Sequence, residues 1–372
     1  MIKKSLTIIA GGLLVVNVAS ATELYNQDGT TFSVGGYMKM GYQSDAKDAK
    51  GNMDKVNGKY NNSRINLSGT REINPDFKGF AKVEWMVNPF ATSEDPVLQN
   101  RLGYIGFDHK DLGTITFGKQ WSTYYNVASF TDLYDITGND AIGIYGNGTD
   151  DNDGDGSFVG TGRANSALKY DKAFGSTGLS LQYQANDTSN RNVNGNLPSM
   201  HGDVERKYSF SGSVVQGIGE HFKLGIAGHY AKLDSLATDV KMDRTAAVAG
   251  ATYKNDWVET ALTVSYNTNL YAAGISESTS IGQESYLGVK VAKPTLIYVG
   301  NNYSKTSYDL ADMKDTTDVN YLAIGAKYDF TSDFALSGEY RYDLRTEDQV
   351  LAAYSNSGSS MNKFALAVKY TF

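Results

Sequence analysis

The chain of 372 residues has no cysteine, and only 5 prolines, 3 tryptophans and 4 histidines. Without cysteine there is no disulfide framework, no thiol nucleophile and no thiolate metal ligand. His109, His201, His221 and His229 fall on separate segments without metal-ligand spacing, and no G-x-S-x-G occurs. These absences predict a protein that is not an enzyme and carries no cofactor. Past residue 21 no apolar run approaches the ~20 residues of a membrane-spanning helix. The formal charge of -7 argues against a nucleic-acid partner.

The first residues read as an export signal. Lys3 and Lys4 form a basic start, Ile8 to Val16 an apolar stretch, and Ala19-Ser20-Ala21 a small-residue cleavage site. Cleavage after residue 21 leaves a single domain over 22–372, and its charge falls from -7 to -9 because two lysines and no acids are lost.

Glycine and tyrosine are abundant, with 39 and 26 residues, while hydrophobic residues make up only 41%. That balance suits many strands without a large apolar core, and tyrosine suits the rim of a membrane, where a ring can lie among headgroups. From Phe32 onward the segments alternate at period two. In the last, Phe364, Leu366, Val368, Tyr370 and Phe372 share one face, opposite Ala365, Ala367, Lys369 and Thr371. Before it, Phe334, Leu336, Tyr340, Tyr342 and Leu344 oppose Ser337, Glu339, Arg341 and Asp343. A face with Glu, Arg and Asp on alternate residues belongs in water, and its partner in lipid.

Turn signals alternate between tight and long. The tight ones fall at 73–76, 110–113, 175–178, 217–220, 254–256, 292–294 and 331–333. The long polar stretches cover 44–59, 88–98, 121–160, 188–202, 235–241, 270–281, 305–316 and 346–361. Seven turns and eight loops predict an all-β fold, a 16-stranded antiparallel transmembrane β-barrel closed by pairing of the last strand with the first. Closure is needed because an open edge in hydrocarbon leaves unpaired backbone groups costing several kcal/mol each. The lumen of such a barrel is too wide for side chains to fill. The stretch 121–160 is too long for a connector, which suggests a loop folded into the lumen.

That loop ends in "TDDNDGDG", where Asp151, Asp153 and Asp155 match the start of a calcium-binding EF-hand loop. The twelfth position, which needs a glutamate, is Gly162, so a weak calcium site is the minor reading and an acidic hinge the major one. Two readings from other classes stay open. One is a barrel hydrolase, hinted at only by His201 beside Asp203, and the other a soluble all-β protein whose apolar strand faces form a core.

Several stretches carry a resemblance: "LYNQDGTTFSVGGY", "NSRINLSGTREINPDFKGFAKVEW", "NRLGYIGFDHKDLGTITFGKQW", "YYNVASFTDL", "SFVGTGRANSALKYD" and the terminal Tyr-Thr-Phe. Over nearly its whole length the mature chain resembles the general trimeric porins of Gram-negative outer membranes. The resemblance implies a homotrimer among outer-membrane lipid and lipopolysaccharide, passing small hydrophilic solutes and ions by passive diffusion. It also implies Phe372 as the signal read by the barrel assembly machinery.

The family's pore narrows between wall arginines, matched here by Arg64, Arg101 and Arg163, and acids of the third loop, matched by Asp132. Where the family carries Pro-Glu this chain has Asp135-Ile136, so Asp135 is the candidate for the second acid. A family wall lysine is replaced by Tyr37, with Lys39 on the same face to compensate, and Tyr125 matches an aromatic at the loop's descent. Lys82 and Glu84 share one face of the third strand, and Glu94 and Asp95 match the loop that latches a neighbouring subunit. Opposed charges predict a size filter, and the net acidity predicts a weak cation preference. A sugar- or phosphate-specific outer-membrane channel is the alternative within the class.

Overall fold

The computed structural model describes residues 21–44, 56–93, 95–138, 140–145, 155–188, 204–235, 241–269, 278–309, 315–352 and 362–372. The leader up to residue 20, Glu94, the aspartates 150, 151 and 153, His201 and Asp203 lie outside them.

Among the described residues, eighteen strand segments form one continuous antiparallel sheet. The first half comprises β1 (Thr22–Gln27), β2 (Thr30–Ser44), β3 (Val56–Asn61), β4 (Ser63–Asn74), β5 (Phe77–Val87), β6 (Leu98–His109), β7 (Gly113–Trp121), β8 (Arg163–Phe174) and β9 (Thr177–Gln184). The second comprises β10 (Val204–Ile218), β11 (Phe222–Ser235), β12 (Lys241–Lys254), β13 (Val258–Thr268), β14 (Ser278–Ala292), β15 (Thr295–Tyr308), β16 (Thr316–Asp329), β17 (Phe334–Asp343) and β18 (Lys363–Thr371). The ends of the described strands bracket the seven predicted tight turns and eight predicted long connections, and one further tight turn, at 28–29, joins β1 to β2.

Two of the sixteen wall strands are composite. β3 and β4 run end to end along β2, broken only at Asn62. β18 pairs with β2 from Ala365↔Gln43 to Thr371↔Tyr37 and closes the barrel. Phe372 exchanges backbone hydrogen bonds with Gly36 at 3.1 Å, and there β18 ends. β1 then takes over the same edge, from Thr22↔Val34 to Gln27↔Thr30. The alternation pattern starts at Phe32 and does not reveal this strand. Its cause is the short β18, which leaves half an edge of β2 in need of a partner.

Side chains confirm which face is lipid. Ile105, Phe107, Ile115, Phe117, Leu181, Ile226 and Val264 all point outward and are about half exposed, whereas Ser180, Gln184, Ser209, Thr263, Asn302 and Ser304 point inward and are fully buried. This is the reverse of a soluble sandwich. Rings gather at both rims. Tyr328, Phe330, Phe334, Tyr370 and Phe372 form a chain with centroids 4.9 to 6.5 Å apart near the short turns. Tyr183, Phe210, Tyr208 and Tyr230 do the same, at 5.1 to 6.2 Å, near the loops. Amphipathic rings at these levels suit the two membrane interfaces.

Among the described residues two short α-helices, absent from the period-two reading, lie in connections: α1 (Tyr125–Ala128) and α2 (Glu347–Ala352). α2 begins at a reciprocal cap. The Gln349 N–H donates to Thr346 Oγ1 at 3.3 Å and the Thr346 N–H to Gln349 Oε1 at 2.9 Å.

Candidate functional site

Connection 122–162, between β7 and β8, is held by the polar inner face of the wall. At its start the Thr123 hydroxyl bonds Ser211 at 2.6 Å, and Asn126 reaches Ser180 and Ser213, both at 3.0 Å. Further on, Thr131 donates to Glu284 at 2.8 Å. The Ile136 N–H donates to Glu339 Oε2 at 3.2 Å, and the Thr137 hydroxyl donates to Oε1. The segment then turns back. The Asp140 carboxylate accepts from the Tyr321 hydroxyl and from Arg341, both at 2.8 Å, and the Ala141 N–H donates to Glu284 at 2.9 Å. The described part of the excursion therefore runs along β9 to β17 and returns, and its end at 155–162 meets β7 and β8.

Apolar contacts fix the same path. Tyr124, Val127, Ala128, Ile142 and Ile144 pack on Ala227, Ala246 and Val248 of β11 and β12, where the inner face turns from polar to small and apolar. Tyr134 packs edge-on against Tyr286 and Tyr298, with centroids at 5.4 and 6.3 Å. Buried apolar contact of this kind supplies stability that a loop in water lacks.

The wall from β4 to β8 carries the three arginines, Arg101 and Arg163 near the loop ends of β6 and β8 and Arg64 at the break between β3 and β4. Arg64 lies over the Tyr37 ring at 5.3 Å and donates to Asn62 at 3.2 Å. Arg101 is buried and pairs with Glu84 at 2.9 Å. Arg163 lies over Trp121 at 5.3 Å, and Trp121 stacks on Tyr125 at 3.7 Å. The Tyr125 hydroxyl donates to Asp132, which is otherwise exposed. Burial pushes the Tyr145 phenol up to about 12; Asp132 adds to the rise, and Arg163, Arg101 and Arg64 oppose it. One loop residue thus feels the loop acid and all three arginines.

The remaining candidates divide. Lys39 and Asp135 meet at 3.1 Å, and Lys39 also donates to the Asp135 carbonyl, so this acid fastens the loop to β2. Lys82 is half-buried, with no ion pair among the described residues. Asp95 is exposed and accepts from the Thr92 hydroxyl at 2.9 Å. Of the aspartate run only Asp155 is described; it pairs with Lys119 at 2.6 Å and with Arg163 at 3.4 Å. Gly156 follows with φ +64, and a Cβ there would overlap the Ile144 carbonyl, so the hinge requires glycine.

Protonation sets a limit on this arrangement. Burial raises the Asp135 carboxyl, but the Lys39 ammonium beside it, with Ser337 and Lys327, outweighs this and holds it below the usual value. Asp155 behaves alike, with Lys119 and Arg163 outweighing burial. A carboxyl depressed on folding stabilises above its unfolded pKa of about 3.9 and loses that contribution as pH falls through the folded value. Loop docking is therefore expected to persist from neutral pH to about pH 4 and to fail only below it. Single-channel steps recorded across that range check this; a rise already near pH 5 would refute it.

Sequence reasoning left out Glu284, Glu339, Arg341 and Asp140. Glu339 and Arg341 stood on a recognised inward face, but their partners come from more than 200 residues away. The signal for the docking path was present in the alanines of "AAVAGA", which interrupt the polar inner face of β12.

A sequence model described as Gram-negative porin matches residues 6–372. Outer membrane porin PhoE of Escherichia coli strain K12 is 24% identical, covering 94% of this chain and 95% of that protein. Among solved structures, Salmonella typhi OmpF in complex with daunomycin superposes with TM-score 0.75 at 17% identity, over 94% of this chain and 100% of that one. OmpT of Vibrio cholerae in a trimer form gives TM-score 0.64 at 16% identity, over 93% and 100%.

Proposed function

Since the chain belongs to the Gram-negative porin family, and so is an outer-membrane porin conducting solutes passively, we propose that its lumen narrows between Asp132 on the loop and Arg64, Arg101 and Arg163 on the wall. The observation that carries this is a contact chain from the loop acid to the wall: the Tyr125 hydroxyl donates to Asp132, Trp121 stacks on Tyr125 at 3.7 Å, and Arg163 lies over Trp121 at 5.3 Å. Opposed charges across a narrow aqueous path orient dipolar solutes and resist apolar ones, in a salt-dependent way.

Within this reading Tyr37, Tyr125 and Trp121 form an aromatic lining that holds the guanidinium groups in place by cation–π contact. Lys39 and Asp135 act as a clasp, and Glu84 positions Arg101. Residues 1–21 act as the cleaved leader, Phe372 as the assembly signal, and Asp95 with Glu94 as a subunit latch in a homotrimer embedded in lipid and lipopolysaccharide.

Planar-bilayer recording is the test. Neutralising Arg64, Arg101 and Arg163 together by glutamine is expected to change the zero-current potential under a salt gradient while leaving discrete steps. Unchanged selectivity in the triple variant would remove the arginines from the constriction. A current that saturates with one sugar or phosphate, rather than growing linearly with salt, would favour the substrate-specific alternative.

A further inference from the structure

Resting on the channel reading above, we infer that the narrowest part of this pore favours anions, against the sign of the whole chain. The chain carries -7 overall, yet the charges around the constriction do not follow that balance. Two pairs cancel locally, Lys39 with Asp135 at 3.1 Å and Arg101 with Glu84 at 2.9 Å. Asp155 is shared by two cations, Lys119 and Arg163, which leaves one positive charge over.

Three further cations on the inner wall have no ion pair among the described residues. Arg64 stands directly across the strand from Tyr37, and its Nε is buried without a hydrogen-bond partner. Lys82 occupies the inward position next to Glu84 on β5. Lys369 pairs across the barrel seam with Lys39, so two ammonium groups are neighbours there, and it lies over the Tyr37 ring at 4.4 Å. Against them stands Asp132, whose hydrogen bond comes from the neutral Tyr125 hydroxyl. The constriction thus holds three positive charges more than negative ones.

The acids behind the loop do not redress this. Glu284 and Glu339 are 0% and 3% exposed, and both accept from loop N–H groups and hydroxyls that cover them. Asp140 is matched by Arg341 at 2.8 Å. Acids elsewhere on the chain that lie beyond a Debye length of ~8 Å are largely screened at physiological salt. A charge at about 5 Å from a passing ion still changes the local ion concentration roughly two- to fourfold. Small anions such as chloride, inorganic phosphate and short carboxylates are therefore the favoured solutes, the more so at low salt.

The experiment uses the purified protein in planar bilayers under a steep KCl gradient. The expected zero-current potential has the sign set by chloride, with a chloride-to-potassium permeability ratio of about five. Replacing Arg64, Lys82 and Lys369 together by glutamine should lower that ratio about fivefold. Asp132→Asn, which touches none of the wall ion pairs, should raise it and serves as the independent variant if the triple one assembles poorly. A wild-type potential of potassium sign or of zero, or a ratio unmoved by Asp132→Asn, overturns the proposal. Absence of any channel steps would instead overturn the channel reading itself.

Discussion

Replacing Glu284 and Glu339 together by alanine is expected to release the loop from the far wall and to raise the single-channel step about twofold. Glu339 accepts from the Ile136 N–H, the Thr137 hydroxyl and the Tyr298 hydroxyl, and Tyr298 in turn accepts the Asp135 N–H at 3.3 Å. Glu284 accepts from Thr131 and from the Ala141 N–H. Glu339 therefore holds the turn at 135–140 itself, and Glu284 grips the loop on either side of it. Hydrogen bonds of this kind contribute about 0.5–1.5 kcal/mol each, and the N–H groups left behind would lie buried without partners. The Lys39–Asp135 and Asp140–Arg341 pairs and the apolar contacts of Tyr124, Ile142 and Ile144 remain, and they are expected to hold the turn less closely to the wall. None of these bonds belongs to the strand ladders, so the barrel itself should stay folded. The checks are step size, the largest sugar admitted in liposome swelling, and the heat-dependent shift of the band on electrophoresis. An unchanged step with an unchanged size limit would show that the loop stays docked without its carboxylate anchors.

Gly41→Val is expected to block closure of the barrel. Gly41 lies at the seam, opposite Ala367 of β18 and Tyr60 of β3. A Cβ there would overlap the Leu366 carbonyl oxygen and come within 2.7 Å of the Ala367 Cα, both of them backbone that cannot step aside. Separating β2 from β18 exposes unpaired N–H and C=O groups to hydrocarbon, at several kcal/mol each. The expected result is loss of the folded band and of outer-membrane protein, not a milder channel defect. Gly69→Val serves as the control, since a Cβ at that strand position meets nothing nearer than 3.6 Å. Normal assembly of the Gly41 variant would mean that the seam is held less closely than its geometry requires.

Much of the fold is legible in the residues because a membrane strand must alternate. Phe364 to Phe372 and Phe334 to Leu344 already separate a lipid face from a water face, and turns such as Gly175 to Gly178 mark where each strand reverses. Strand number follows from counting turns, and closure follows from the absence of water in the bilayer. The composite last strand escapes this reading. β1 owes its pairing to the place where β18 stops, which depends on register and not on the sequence of β1 itself.

The constriction divides in the same way. The arginines and Asp132 can be found by the local stretches they sit in. Their pairing cannot, because Lys39 and Asp135 are 96 residues apart and Arg341 and Asp140 are 201 apart. Sequence by itself determined the barrel, its number of strands, its two faces and the loop too long to be a connector. Only the tertiary structure decided which charges cancel and which remain open to the water, since barrel closure and loop docking bring distant side chains within a few ångströms. Over that distance a Coulomb interaction outweighs any count of charge along the chain.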